Sequence, residues 1–569
     1  MPNKNNGLGN QLDLDIKIVE LKSRAREILV AEPKNTDALN SLGLVSMHLE
    51  IFDEAINFFE QAHNIAPHRQ DYIDNFIQAL EFSSKRMCDL GDFSASIKML
   101  EKGLLFRPDN VSLKCGLSFV LGRANRNEEA LIASEQALLI DPKSTQAYEA
   151  QGLALVSLGR IDEAIEIFKM VAECERVSAS AHSNLGLAYR AKGAAKDAID
   201  CFEKAISLDK NYKQAHNNLG VASLDLNELE NAEKALKNAL AIDQDFAEAH
   251  FNLSRVLLMA ENFKAGWEHN EWRWLCSTFP STWREFPQQT WQGEDLTGKR
   301  ILVWSEQGIG DEVMFANTLR DLVQNSAGVV LECNERLVSI FKRSFKNISV
   351  FARKDPPNPQ IKNINLDFQI PLASICKFYR KTDSEFPLES GGYLRSNPKM
   401  TVKTRARYSS LGDGIKVGIS WKSGNPIVGH ERSVPIDFWN GIFNVKGCHF
   451  ISLQYGDISQ DLERVFNATG IRIFQDNLVD PITNAEAWFS QIGALDHVIS
   501  VDNSTIQVSG SLGIPTWTIL SSVPEWRFGL DRSNHLWHPS VRVYRQKIRD
   551  EWGPVMKSIA SDLSSIVRS

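Results

Sequence analysis

Along the first half of the chain, apolar and small residues recur with a period of 34. Leu185-Gly186, Leu219-Gly220 and Leu253-Ser254 keep one register, and Gln151-Gly152 and Leu117-Ser118 extend it backwards. Ala130, Ala164, Ala198, Ala232 and Gly266 follow at the same spacing, as do Phe168, Phe202 and Leu236, then Ala137, Val171, Ala205 and Ala239. Leu42-Gly43, Ala55, Phe59, Ala62 and Pro67 fit one more copy from Thr36. Between that copy and the one starting at Val111 lie two periods plus seven residues, which predicts a short insertion within about 70–110. From Lys299 the pattern changes. Short apolar runs at Arg300–Trp304, Val329–Cys333, Leu366–Ile370, Lys416–Trp421, Phe450–Leu453, Val498–Val501 and Thr516–Leu520 alternate with amphipathic stretches of helix length. That alternation predicts parallel α/β sheets, and the stretch Arg395–Gly414 divides the runs into two halves. Trp552, Val555, Met556, Ile559 and Leu563 place an apolar stripe on a closing helix.

The 34-residue pattern resembles the tetratricopeptide repeat, two antiparallel helices per copy, with small residues letting helices approach and Leu and Phe filling the seam. Such arrays stack into a superhelix with a concave binding face. Asn184, Asn218 and Asn252 occupy one repeat position on the helix that lines this face in the family. Read functionally, they form a carboxamide ladder for the backbone of an extended peptide; read structurally, Asn is common at that position. Between Trp267 and Trp291 the chain holds five of its 13 tryptophans, which need burial, so the segment reads as a rigid joint. The predicted organisation is an N-terminal helical cap (1–35), repeats (36–266), an aromatic joint (267–298), and two Rossmann-like halves facing a cleft (299–400 and 401–569): an α-superhelix followed by an α/β region.

Composition narrows the partners. A net charge of −8 and a pI near 5.9 offer no general attraction to nucleic acid or anionic membranes. The polar N-terminus does not resemble a signal peptide, no run has the ~20 apolar residues of a membrane span, and the eight cysteines contain no Cys-x-x-Cys pair. A cytoplasmic protein without stable membrane insertion is expected.

Three predicted strand ends converge on the cleft. The first carries Gln307-Gly308-Ile309-Gly310-Asp311; the second, Ser420–Ser433, carries Lys422, Asn425 and Arg432; the third, Ser500–Pro515, carries Asp502-Asn503-Ser504-Thr505 at a helix start, where free N–H groups and hydroxyls favour anions. The succession GxGDxxxF, SWKxGN, SLQ, SVDxxxxxxxGxLGxP and PEWR resembles the heptosyltransferase-like GT-B glycosyltransferases, most of all the bacterial subgroup that joins such a domain to tetratricopeptide repeats. That subgroup includes flagellin glycosyltransferases, in which the repeats hold the acceptor protein and the GT-B domain transfers a nonulosonic-type sugar.

The resemblance implies an enzyme: a protein O-glycosyltransferase moving a sugar from a nucleotide-sugar, such as a CMP-linked nonulosonic acid, to Ser or Thr of a protein acceptor such as flagellin. It implies Asp311 as the base that takes the acceptor's proton, beside glycines at 308 and 310 that give acceptor and sugar room to approach. The competing reading of Asp311 is a helix cap. Lys422 and Arg432 would neutralise the donor phosphate, with solvated loop charge as their alternative. Asp502, Asn503, Ser504 and Thr505 would hold phosphate or ribose, and Gln454 the nucleotide. Asn425 and Arg527 would complete the donor site. No cofactor and no metal are expected, since GT-B enzymes use helix dipoles and basic side chains instead of a divalent ion. Gln507 stands where relatives carry His, and cannot carry charge near neutral pH. Two other readings stay open: a non-catalytic adaptor working through its repeats, and a glycosyltransferase acting on lipid or polysaccharide.

Overall fold

The computed structural model describes residues 5–425, 429–549 and 551–568. Residues 1–4 of the expected cap and 426–428 of the loop between Asn425 and Arg432 therefore lie outside the described residues. Contacts between residues divide the chain into two compact units, Met1–Ala222 and Ser223–Ser569.

The first unit is a run of antiparallel helix pairs. α1 (Asn5–Ala31) precedes α2 (Thr36–His48) and α3 (Phe52–Ile65), α4 (Gln70–Asp89) and α5 (Phe93–Phe106), and α6 (Val111–Arg123) and α7 (Asn127–Ile140). α8 (Thr145–Ser157) and α9 (Ile161–Cys174) follow, then α10 (Ala179–Ala191) and α11 (Ala195–Leu208), and the unit boundary falls inside α12 (Lys213–Leu224). The period is visible in the local chemistry. Asn110, Ser144 and Ser178 cap α6, α8 and α10 by accepting the N–H of Leu113, Ala147 and Ala181. The turn inside each pair needs one left-handed residue, and Gly91, Asn125, Gly159 and Gly193 supply it at φ of 81°, 60°, 75° and 81°. Tyr148, His182 and His216 occupy one repeat position, and each makes a side-chain hydrogen bond to a carbonyl six residues earlier, at Pro142, Arg176 and Lys210.

The expected insertion is in α4, which has 20 residues where α2, α6, α8 and α10 have 13. Two turns of α-helix take about 7.2 residues. The seven extra residues therefore lengthen α4 while keeping its apolar face in phase.

The second unit opens with more of the same pattern: α13 (Leu229–Ile242), α14 (Ala247–Met259) and α15 (Phe263–Asn270), with Asn227 and Glu261 as the left-handed turns. Two five-stranded sheets follow. β1 (Gln289–Thr290), β2 (Arg300–Trp304), β3 (Gly328–Cys333), β4 (Ile348–Ala352) and β5 (Phe368–Pro371) form an all-parallel sheet in the order β1-β5-β2-β3-β4. β6 (Ile415–Ser420), β7 (Cys448–Ser452), β8 (His497–Val501), β9 (Thr516–Leu520) and β10 (Val541–Arg545) form a second, in the order β10-β9-β8-β6-β7. The protein thus has a tetratricopeptide-like helical region followed by two Rossmann-like halves. The seven runs predicted as strands all pair in these sheets. The strands missed in sequence, β1, β4 and β10, are all at sheet edges, where one face meets solvent and the apolar run is broken.

Chain order reverses between β2 and β5 in the first sheet and between β6 and β8 in the second. Such switch points leave a crevice at the carboxyl ends of the strands, where ligands of open α/β sheets bind.

Of the five tryptophans between Trp267 and Trp291, Trp267 and Trp291 are buried, Trp272 and Trp274 are half-buried and Trp283 is exposed. Trp267 Nε1 donates to the Arg380 carbonyl at 2.7 Å, and its ring meets Trp526 edge-on at 5.3 Å. Arg273 makes a bidentate pair with Glu306 (2.8 and 2.7 Å), each side chain 1% exposed. The helices before the joint share this body. Asn227 Nδ2 donates to the Ser522 carbonyl (2.7 Å), Glu261 pairs with Arg532 through both oxygens (2.6 and 2.8 Å), and Trp526 and Leu530 pack against Leu253, Val256 and Leu257 of α14. The last helix pair is thus packed into the α/β region.

Candidate functional site

A cleft of about 580 Å³ lies where the carboxyl ends of β2, β6 and β8 face one another. It gathers Gln307, Gly308, Gly310, Asp311, Asn425, Arg432, Asp502, Asn503, Ser504, Thr505, Gln507 and Arg527, which are at most 220 positions apart in sequence.

After β2 the chain turns through Gln307 at a left-handed φ of 62° into α16 (Ile309–Phe315). The Gln307 N–H donates to Ser281 Oγ of the joint at 2.8 Å, which ties this turn to the aromatic segment. Asp311 Oδ2 accepts the Gly308 N–H at 3.4 Å, the contact expected of a cap, and Oδ1 lies 3.4 Å from Arg527 Nη2. The glycines differ in use. A Cβ on Gly310 would stand 3.4 Å from Ser504 Cβ, so Gly310 brings α16 against the helix Ser504–Ser511 and makes room for protein. Around Gly308 the nearest atom is Asp311 Oδ2 at 3.6 Å, and this glycine does leave space.

From the second sheet, Asn503 caps the helix Ser504–Ser511 by accepting the Thr505 N–H (2.9 Å), while its amide donates to Ser420 Oγ (2.8 Å) and to the Lys422 carbonyl (3.2 Å), tying the ends of β8 and β6 together. Asp502, 5% exposed, faces Arg432 Nη1 at 3.3 Å. Arg432 also pairs with Glu525. Burial pushes the Asp502 carboxyl above its ordinary range, with Arg432 and Arg527 pulling the other way. Burial opposes the charge of Glu525 too, but Arg255, Arg432 and Arg527 outweigh it and hold that carboxyl low. Burial likewise works against Arg527, yet Asp311, Asp502 and Glu525 fix its proton more firmly. One wall of the cleft is therefore a ring of guanidinium and carboxylate groups with Arg432 and Arg527 at its centre.

Gln507, 1% exposed, turns its amide to two histidines that sequence reasoning left without a role. Its Oε1 lies 2.9 Å from His538 Nε2, and its Nε2 lies 3.5 Å from His535 Nε2. His535 Nδ1 accepts the Trp537 N–H (3.0 Å), so the neutral ring carries its hydrogen on Nε2. Burial lowers both rings, His538 to about 3. The charge that a histidine at 507 would bring is absent from its neighbours as well. Only the fold places these side chains within reach of Gln507.

The cleft is also lined by apolar side chains: Leu453, Tyr455, Pro481, Ile482 and Trp488. Trp488 is 4% exposed and its Nε1 has no partner. Arg336, also not anticipated, reaches across from the first half to donate to the Ile482 carbonyl at 2.7 Å. A Cβ on Gly424 would fall 1.7 Å from the Tyr455 hydroxyl, so a larger residue here would have to displace the Tyr455 side chain.

Two expected donor residues are used elsewhere. Lys422 Nζ pairs with Asp461 at 2.5 Å, away from the cleft, because that carboxylate also takes Trp421 Nε1 and Arg464. Gln454 Oε1 accepts from Ser420 Oγ, the Trp421 N–H and the Lys422 N–H (3.1, 3.1 and 2.9 Å) and so joins β7 to β6. The ladder asparagines are half-buried. Asn184 donates to Glu149 Oε1 (3.3 Å), Asn218 Oδ1 accepts from Asn217 (3.4 Å), and Asn252 lies on α14 in the second unit. Among the described residues, no group of three or more His, Cys, Asp or Glu is placed to hold a metal ion, and no helix is long and apolar enough to cross a membrane.

Models of the tetratricopeptide repeat match residues 120–179, 179–212 and 213–246. Protein FlbA of Caulobacter vibrioides is 29% identical over 327 residues, covering 55% of this chain and 54% of FlbA, so the chain spans about half the length of that relative. Among solved structures, TTC0263, a thermophilic TPR protein of Thermus thermophilus, is 18% identical, with 32% of this chain and 99% of that one covered and a TM-score of 0.31. MamA is 25% identical, with 29% and 96% covered and a TM-score of 0.24. The stretch 120–246 thus matches the tetratricopeptide repeat, and the 34-residue period and its helix pairs run through the helical region that precedes the α/β region of two parallel sheets.

Proposed function

We propose that the protein is a glycosyltransferase whose cleft binds a nucleotide-sugar and whose repeats hold a protein acceptor. The observation that carries this reading is the mixed lining of the cleft, which combines apolar side chains, Tyr455, Pro481, Ile482 and Trp488, with the guanidinium groups of Arg432 and Arg527. A nucleotide combines the same two chemistries. Its base would lie against the apolar side chains, where Trp488 Nε1 has a hydrogen bond to give, and its phosphates would face the two arginines.

Asp311 belongs to the reacting end. While paired with Arg527 it is a weak base; a donor phosphate that draws Arg527 to itself frees the carboxylate. An acceptor Ser or Thr oxygen then attacks the anomeric carbon, its proton passes to Asp311, and the bond from that carbon to the phosphate oxygen breaks. The electron pair leaves with the nucleotide, whose charge meets Arg432 and Arg527. Attack from the face opposite the leaving group inverts the anomeric carbon. Asn184, Asn218 and Asn252 would bind acceptor backbone, and flagellin with a CMP-nonulosonate is the acceptor–donor pair the motif resemblance favours.

A second reading, a non-catalytic adaptor, draws on Gln507, whose amide oxygen is engaged by His538. Thermal melting with CMP, UDP, GDP and ADP, with Asp311→Ala alongside, separates the two. A ligand at a hundred times its Kd adds about 2.7 kcal/mol. The enzyme reading requires a shift with one nucleotide in both proteins, and sugar transfer only in the wild type. No shift with any of the four leaves the adaptor.

A further inference from the structure

The charged wall of the cleft is crowded with acid for a surface that meets phosphate. Three carboxylates, Asp311, Asp502 and Glu525, stand against two guanidinium groups, Arg432 and Arg527. The carboxylates are not equivalent. Glu525 pairs with Arg432 and also feels Arg255 from α14 and Arg527. Asp311 has Arg527 and the Gly308 N–H. Asp502, at the end of β8, has one guanidinium contact at 3.3 Å and is 5% exposed. The charged groups facing it are Arg432 from the helix Gly429–Arg432, Arg527 and Glu525 from the segment after β9, and Asp311 from α16 across the cleft. Two of these four share its sign.

A phosphate bound to Arg432 and Arg527 changes this balance in one direction. It adds negative charge beside a buried carboxylate that already has two acidic neighbours, and it takes part of the compensation Arg432 was giving. Like charge and burial both favour the neutral acid. We propose that Asp502 takes up a proton when a phosphate-bearing ligand enters the cleft, so that anion binding and proton binding are linked at this carboxylate. The proton comes from solvent. The new O–H turns a side chain that could only accept hydrogen bonds into a donor towards a phosphate oxygen, and Arg432 keeps Glu525 while turning to the ligand. This rests on the nucleotide-binding reading and adds the protonation change that accompanies it.

The experiment is calorimetric titration of the full chain with UDP, CMP, GDP and ADP near pH 7, each in a buffer of low and one of high ionisation enthalpy. For the nucleotide that binds, the heat should depend on the buffer with the sign and size of one proton taken up, and affinity should fall roughly tenfold per pH unit at higher pH. Asp502→Asn should bind with buffer-independent heat and a flat pH profile, while Asp311→Asn, which leaves Asp502 in place but removes one of its two acidic neighbours, should keep the proton uptake with its pH dependence moved to lower pH. Buffer-independent heat in the wild type, or uptake that persists in Asp502→Asn, overturns the proposal and leaves the nucleotide cleft standing. Absence of binding by all four overturns the nucleotide cleft and this proposal with it. If Asp502→Asn does not fold, the wild-type buffer and pH dependence together with Asp311→Asn still decide, because uptake absent from Asp311→Asn at every pH between about 5 and 8 would put the proton on that residue instead and overturn the proposal.

Discussion

Gln307 is the one non-glycine residue at positive φ among the described residues that does not serve a turn between paired helices. Strained backbone that persists beside a cleft costs roughly 1–3 kcal/mol and is held by its surroundings, here by Ser281. Gln307→Gly should raise stability by about 1 kcal/mol in urea denaturation while weakening ligand binding through the lost side chain. Glu312, next to Asp311 but turned inward and 3% exposed, makes a pH prediction. Burial pushes its carboxyl up to about 7, against the Asn334 N–H, Ser305 and Arg353. The folded chain therefore holds this proton more tightly than the unfolded chain. The associated stability is fully present below about pH 4.5 and is lost as pH rises through about 7, on the order of 3 kcal/mol in all. Glu312→Gln should gain on the wild type steadily between pH 5 and pH 8 in denaturation midpoints. Neither effect can be read from sequence, because left-handed strain and burial are properties of the surroundings.

At the level of elements, the repeat is held together by one recurring contact. A Cβ on Gly43, Gly152 or Gly186 would fall 2.5, 2.5 or 2.7 Å from the ring of Phe59, Phe168 or Phe202, each 16 residues on. Gly186→Ala should therefore cost about 1–3 kcal/mol, and Phe202→Leu in the same chain should recover part of the loss in a double-mutant cycle. This contact was legible as a pattern before any coordinates, since both partners lie within one helix pair. The seven-residue insertion was legible for the same reason, and helical phase explains why seven is tolerated. The edge strands were not legible. β4 and β10 bury only two of their five residues each, too broken a run to separate from loop.

Across the whole molecule, every tryptophan lies from Trp267 onward, in the second unit, whereas Met1–Ala222 is a run of helices. Tryptophan fluorescence thus reports Ser223–Ser569, and far-ultraviolet circular dichroism is weighted towards the repeats. A nucleotide that binds the cleft should raise the fluorescence melting midpoint more than the dichroism midpoint. Equal shifts would mean that the two units unfold as one. Arg273 tests the joint at the same scale. Arg273→Met leaves Glu306 buried without its partner and should cost about 3–5 kcal/mol, seen as a lower fluorescence midpoint, and Glu306→Gln in the same chain should restore part of it.

The helix pairs, the repeat period and seven of the ten strands among the described residues follow from the sequence by itself, because each depends on residues a turn or a repeat away. The sequence also named the three loops that meet in the cleft, since glycines and helix starts after apolar runs are local signals. What the tertiary structure decided is which charges meet. It sent Lys422 to Asp461, 39 positions on, set Asp311 against Arg527, 216 positions on, and placed His535 and His538 behind Gln507. Coulomb and hydrogen-bond energies depend on distance in space, and position in the chain fixes that distance only for near neighbours.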